Sequence, residues 1–485
     1  MSVGVIQCKG VDSSGHITWT AGISVFSLAM MTFATVANLR NLPAMAVYGM
    51  SMLFFYGVAM VTFLIPTALV SAELATGFPE DGGIFNWVGK ALGNRIGFLA
   101  VWLQNFSNFV TIPVSLVYLA GVLSYAVGIP SLAHNNIYVL GVILVTIWIG
   151  TLVTMKGMRV ATAITNIGSI FGTFIPGFVI IALGGLWLVT GKHSNIEFNA
   201  SRIVPPLAEP AQWVLFLNVM LGFAGLEVSA VHTRDVANPQ KNFPRAILIS
   251  SLLVFGLYAF GSMAIAIAVP KECLTLETGV INAMDVLLSG FGLKWLSPVM
   301  AGMMVFGVVA WFVTWIAGPA RGMLATARTG NLPPMLQKVN EVGMPSAIMI
   351  FQAGIITLFS MLFVLWDSVE TCFWVLVAFS TQSLLLMYIL MFVAAVVLRY
   401  KFPAVTRSYK VPFGNVGMIV VCIIGILVCL ACYFVGFIPP GELHIDNMFL
   451  YVTVMIIGNL LSVIFPFIMC MFSKPHWKNE MFVAG

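Results

Sequence analysis

The chain has 485 residues, 60% of them hydrophobic and only 8% charged, and its mean hydropathy is +1.02, whereas an ordinary soluble domain is about 25% charged. Twenty-two Lys and Arg with 17 Asp and Glu cannot hydrate the surface of a 52.5 kDa globule, so both a soluble fold and a disordered chain are excluded. A net charge of +5 leaves no phosphate-neutralising face, which excludes nucleic acid as a partner.

Residues 1–18 are polar, and no cleavable signal peptide is expected, because the first apolar run is too long for one and ends without a small-residue cleavage site. A bilayer core about 30 Å thick needs about 20 mostly apolar helical residues. Runs of that kind predict twelve spans, at 19–46, 51–75, 96–128, 137–155, 160–190, 212–232, 246–270, 296–326, 346–365, 372–398, 415–437 and 448–472. The expected fold is therefore all-α and integral to the membrane. From the helix breaks described below, spans 1 to 5 (19–190) and 6 to 10 (212–398) are expected to be two inverted five-helix repeats, spans 11 and 12 (415–472) follow, and 473–485 is a short tail.

Numbering the segments between spans alternately as inner and outer, with the N-terminus inside, puts 17 of the 22 basic residues on the inner side. Four, Lys192, Arg202, Lys271 and Lys294, fall outside, and Arg40 lies within a span. By the positive-inside rule both termini are expected in the cytoplasm, with the protein in a cell's inner membrane.

Spans 1 and 6 are chemically odd. Span 1 carries Asn38, Arg40, Asn41 and Pro43 near its middle, and span 6 carries Gly222, Gly225 and Glu227 at a comparable depth. A charge at such depth costs at least about 2.5 to 3.5 kcal/mol on insertion scales. Helices broken at matching positions of two halves point to a transporter's binding site, because unwound backbone presents N–H and C=O groups to a substrate. The correspondence is one of position, since the halves share no alignable identity.

The seven cysteines and six histidines form no disulfide framework and no metal-binding pattern. Cys429 and Cys432 form a CxxC inside an apolar run, where Cys acts as a small hydrophobe. Neither a metal nor another cofactor is expected, and no nucleotide-binding loop occurs.

Three stretches carry a resemblance: AELATGFPEDGGIFNWVGKALG at 72–93, GLEVSAVHTRDVANPQKNFPRAI at 225–247, and WIAGPARGMLATARTGNLPP at 315–334 with a further proline at 345. In their order and register they resemble the amino acid, polyamine and organocation transporter superfamily, and within it the bacterial glutamate/GABA antiporters. The resemblance implies a LeuT-like fold with discontinuous helices 1 and 6. It makes Val36, Ala37 and Asn38, with Phe223, Ala224 and Gly225, the cradle for a substrate's α-amino and α-carboxylate groups. It makes Glu227 a gating or substrate-contacting acid, and Trp315 and Tyr388 walls of the site. The chain departs from that pattern at Val36, Ala37 and Asn38, where many members have a Gly-Ser-Gly-like break, and at Arg40, where the glutamate/GABA members are typically aromatic. Only SKPHWKNEMFVAG follows span 12, so closure by a long C-terminal plug is not expected.

Plainer readings stand beside these. Glu227 could be a structural acid bonded to backbone freed by the break, and Arg40 could pair with Glu227 or with carbonyls instead of attracting a carboxylate. Asn38 and Asn41 are capping candidates as much as substrate contacts, and Trp315 and Tyr388 could be packing residues. Glu73 reads as a solvated helix end.

The function expected is secondary transport of amino acids by alternating access, as an antiporter exchanging a glutamate-like amino acid for another or for its decarboxylated product. That product would come from a cytoplasmic decarboxylase. Proton symport of neutral or aromatic amino acids is the alternative. A membrane enzyme would need an arranged catalytic set that the spans lack, and a receptor would need a soluble domain.

Overall fold

The computed structural model describes residues 24–79, 82–205, 210–229, 236, 238–270, 274, 278–365, 369–438 and 448–478, together with a ribbon that pairs Lys9–Val11 antiparallel to Ile17–Trp19. Glu80 and Asp81 of the acidic segment, 230–235 after span 6, and the tail from 479 lie outside the described residues.

Among the described residues, nine helices are long and apolar enough to cross a membrane, and they are spans 2 to 5, 7, 8 and 10 to 12. The other three appear as the shorter apolar segments Val25–Val36, Phe216–Ser229, which an opening at residues 224 and 225 interrupts, and Ser346–Met361. Span 7 begins at Pro239, earlier than the hydropathy indicates. Asn238 takes the left-handed conformation (φ 46°), and Pro239 starts the helix where its missing N–H costs nothing.

Two helices are too short to read as spans. Ile84–Leu92 lies between spans 2 and 3, burying Ile84, Phe85, Trp87, Val88 and Ala91 along one face. Gly279–Gly290, in the stretch expected to be an outer loop, buries Val280, Ile281, Ala283, Met284, Leu287 and Leu288.

Span 3 (Asn94–Ala126) is the most enclosed, buried over 83% of its apolar core, whereas spans 11 and 12 are buried over 28% and 22% of theirs. Span 4, at 28%, is as exposed as span 11, so spans 4, 11 and 12 are the least enclosed of these nine helices. Spans 5 and 8 touch backbone to backbone, where a Cβ on Gly172 would collide with Gly307 N. Small residues at such crossings let helices approach closely where lipid offers no hydrophobic driving force.

Spans 1 and 6 are interrupted. Span 1 is helical over Val25–Val36, extended at Ala37 and Asn38, and resumes as a 3-10 turn, Leu39–Asn41, before the short helix Leu42–Ala46. Span 6 is helical over Pro210–Phe223, open at Ala224 and Gly225, and continues as a 3-10 turn over 226–229. Both breaks lie in the interior of their spans.

Candidate functional site

A break inside a bilayer is stable only if its freed backbone groups find partners. In span 1, Asn38 Oδ1 accepts from Arg40 N at 3.2 Å, the local capping that asparagine offers. Trp315 Nε1 of span 8 donates to Thr35 O at 2.8 Å. Tyr258 OH of span 7 donates to Val36 O at 2.9 Å and accepts from Asn38 N at 3.0 Å and Asn41 Nδ2 at 3.1 Å.

In span 6, Gly225 has φ +116°, and a Cβ there would sit 2.9 Å from the Trp315 ring, so only glycine fits. Gly225 N donates to Tyr388 OH at 2.7 Å, and that hydroxyl donates to Glu227 Oε2 at 2.6 Å. Gln104 Nε2 of span 3 donates to Glu227 Oε1 at 2.9 Å. The arrangement is reciprocal: span 8 supports the break of span 1, and span 3, through Glu227, supports that of span 6.

Between the breaks lies a cavity of about 30 Å³, room for about two waters. Val36, Asn38, Arg40, Asn41, Ala224 and Trp315 line it. Arg40 is 4% exposed, and its Nη2 donates to Asn41 Oδ1 at 3.4 Å. Asn38 is 6% exposed, and its Nδ2 has no hydrogen-bond partner among the described residues. A buried donor in that condition costs about 1 to 3 kcal/mol, which a ligand's acceptor would recover. The wall can therefore offer an acceptor-rich ligand a guanidinium and an amide N–H.

The structure thus brings the eleven residues singled out in the sequence to one place but divides them into two groups. Six line the cavity, and Ala37 faces a smaller adjoining one. Phe223, Gly225, Glu227 and Tyr388 are not among its lining residues. Phe223 stacks on Tyr258 with ring centroids 5.7 Å apart, and the other three hold the break of span 6.

Sequence reasoning missed Tyr258, Gln104, Ser107, Asn108 and Thr111. The last three line the cavity, and Asn108 Nδ2 donates to Trp315 O at 3.4 Å. The signal for span 3 was present: positions 104, 107, 108 and 111 put four polar side chains on one helical face of an apolar run. A single tyrosine in span 7 gives no such pattern.

Glu73 is a correction. It is 2% exposed rather than solvated, and it pairs with Arg399 at 3.1 Å and Arg407 at 3.5 Å while accepting from Val411 N at 2.7 Å. It clasps the connection between spans 10 and 11 to the end of span 2. Burial pulls the Arg407 guanidinium below its usual range, and Glu73 opposes that shift.

Sequence comparison places the chain in a family of membrane transporters. A family model for amino acid permeases matches residues 23–460. The chain belongs to the amino acid permease family. This permease is 39% identical over 454 residues to an uncharacterized transporter of Legionella pneumophila, covering 94% of this chain and 97% of the other. It is 30% identical over 458 residues to a glutamate/gamma-aminobutyrate antiporter of Lactococcus lactis, covering 92% and 90%. To a probable agmatine/putrescine antiporter of the same species it is 26% identical over 401 residues, covering 80% and 82%. The permease is thus a multi-pass membrane transporter.

Proposed function

We propose that this permease is an antiporter that exchanges an acidic, glutamate-like amino acid for another amino acid or for its decarboxylated product. Arg40 in the cavity wall carries the reading: a buried guanidinium is well shaped to attract and hold a carboxylate. The glutamate/gamma-aminobutyrate antiporter among its relatives supports the same substrate class.

In this mechanism the substrate's α-groups bind the unwound backbone of spans 1 and 6, and Arg40 receives a carboxylate. The cavity is smaller than an amino acid, so spans 1 and 6 part to admit substrate and close again over it. Rocking of the broken helices against the rest of the bundle then opens the site to the other side. With both termini cytoplasmic, as the basic residues indicate, an acidic amino acid enters and its amine product leaves. Decarboxylation by a cytoplasmic enzyme consumes one proton per turnover, so the paired cycle removes protons from the cell. The sequence holds no nucleotide-binding loop to couple the exchange to ATP.

Competition against labelled glutamate in proteoliposomes tests the substrate class. Acidic amino acids are expected to compete best in the wild type, and Arg40→Ala is expected to weaken them by about 10 to 100-fold, the loss of a charge-assisted hydrogen bond worth about 1.5 to 3 kcal/mol. An Arg40→Ala protein with unaltered preference between acidic and neutral substrates would contradict it.

A further inference from the structure

At the break of span 1, one hydroxyl from span 7 partners both Val36 O and Asn38 N. A phenol offers one donor and two acceptor positions, and Tyr258 spends all three on span 1: its proton on Val36 O, its lone pairs on Asn38 N and Asn41 Nδ2. In a continuous helix Val36 O would bond Arg40 N, but Asn38 Oδ1 has taken that N–H. Asn38 N would bond Ala34 O, and extension at residues 37 and 38 has removed it from reach. The hydroxyl answers both losses.

Its third contact reaches the charged group. Asn41 gives its amide nitrogen to Tyr258 and its amide oxygen to Arg40 Nη2, at 3.1 and 3.4 Å. One side chain of span 7 thereby fixes which way the Asn41 amide faces, and that amide holds the guanidinium lining the cavity. The ring is held separately, stacked on Phe223 at 5.7 Å and on Tyr56 at 6.2 Å, so packing and hydrogen bonding can be removed independently.

We propose that Tyr258 is the positioning residue of the binding site: its hydroxyl sets the unwound segment of span 1 in the form that presents Arg40 to substrate. The proposal rests on the reading that substrate binds at the break of span 1.

Tyr258→Phe keeps the stack and removes the hydroxyl. The control is Tyr56→Phe, which removes a hydroxyl from the same stack where it bonds Ser262 Oγ at 3.0 Å, away from the break. Exchange kinetics in proteoliposomes, with whichever amino acid the wild type exchanges fastest, and thermal unfolding in detergent are measured for both. Tyr258→Phe is expected to raise KM by about 10-fold or more with maximal rate within about 3-fold, while Tyr56→Phe stays within about 2-fold in KM. Combining Tyr258→Phe with Asn41→Ala is expected to raise KM by less than the product of the two single effects, because the variants share a bond.

A KM for Tyr258→Phe within about 2-fold of wild type, or a rise equalled by Tyr56→Phe, would overturn the proposal and leave the antiport reading intact. So would a Tyr258→Phe protein too unstable to assay, since that would make the hydroxyl a folding requirement. A wild type that exchanges no amino acid would overturn both readings.

Discussion

Glu227 shows how a side chain's partners decide its role. Its carboxylate is enclosed by Gln104 and Tyr388, and Tyr388 in turn takes the N–H that Gly225 can no longer give to a helix. A frame of this kind needs acceptors more than it needs charge. Glu227→Gln keeps an oxygen for Tyr388 and, after rotation of the Gln104 amide, a donor for Gln104. Exchange in the Gln variant is therefore expected within about 3-fold of wild type, whereas Glu227→Leu, which strands both partners, is expected to lose at least about 10-fold. Rates in proteoliposomes check this, and equal losses in the two variants would instead support a titrating or substrate-contacting role for the acid. The sequence marked Glu227 as exceptional because an intramembrane charge is costly. It could not distinguish frame from contact, because Gln104 and Tyr388 lie 123 and 161 residues away.

At the scale of elements, each break depends on a close approach. Gly225→Ala must relieve a 2.9 Å contact with Trp315 and a positive φ together, so exchange is expected to fall below detection while the protein still inserts, as surface yield would show. Normal exchange would mean that span 6 is not held open as described. The clasp at Glu73 is a second, separable element. Glu73→Ala leaves Arg399 and Arg407 buried without their carboxylate, which costs about 3 to 5 kcal/mol when a buried pair is broken. A marked drop in detergent unfolding temperature is expected, with Glu73→Gln in between, and an unchanged temperature would show the clasp to be dispensable. The apolar runs made the twelve spans readable because lipid demands about 20 such residues. The helices at 84–92 and 279–290 escaped because a short helix buried on one face shows no run of that length, and Glu73 was misread because its partners sit 326 and 334 positions along the chain.

For the molecule as a whole, scarcity of charge established the membrane and the few interior charges pointed to the candidate site. Arg40 and Glu227, the two charges deep in spans 1 and 6, lie two residues beyond the two breaks, and of the spans supporting them span 7 alone gave no sign in the sequence, since span 3 carried its polar face and spans 8 and 10 their aromatic residues. What a sequence encodes locally, a break or a run, could be read. What depends on the packing of distant helices, such as the hydroxyl of Tyr258, could not. The central claim, obligate exchange through the cavity between the two breaks, is tested most directly by counterflow. Labelled glutamate is offered to proteoliposomes that are empty or preloaded with glutamate, GABA or other amino acids. Uptake is expected to be at least about 10-fold faster into vesicles holding a transported partner than into empty ones, the stimulation that strict coupling requires. Uptake of equal rate into empty and loaded vesicles, whatever the internal amino acid, would contradict it.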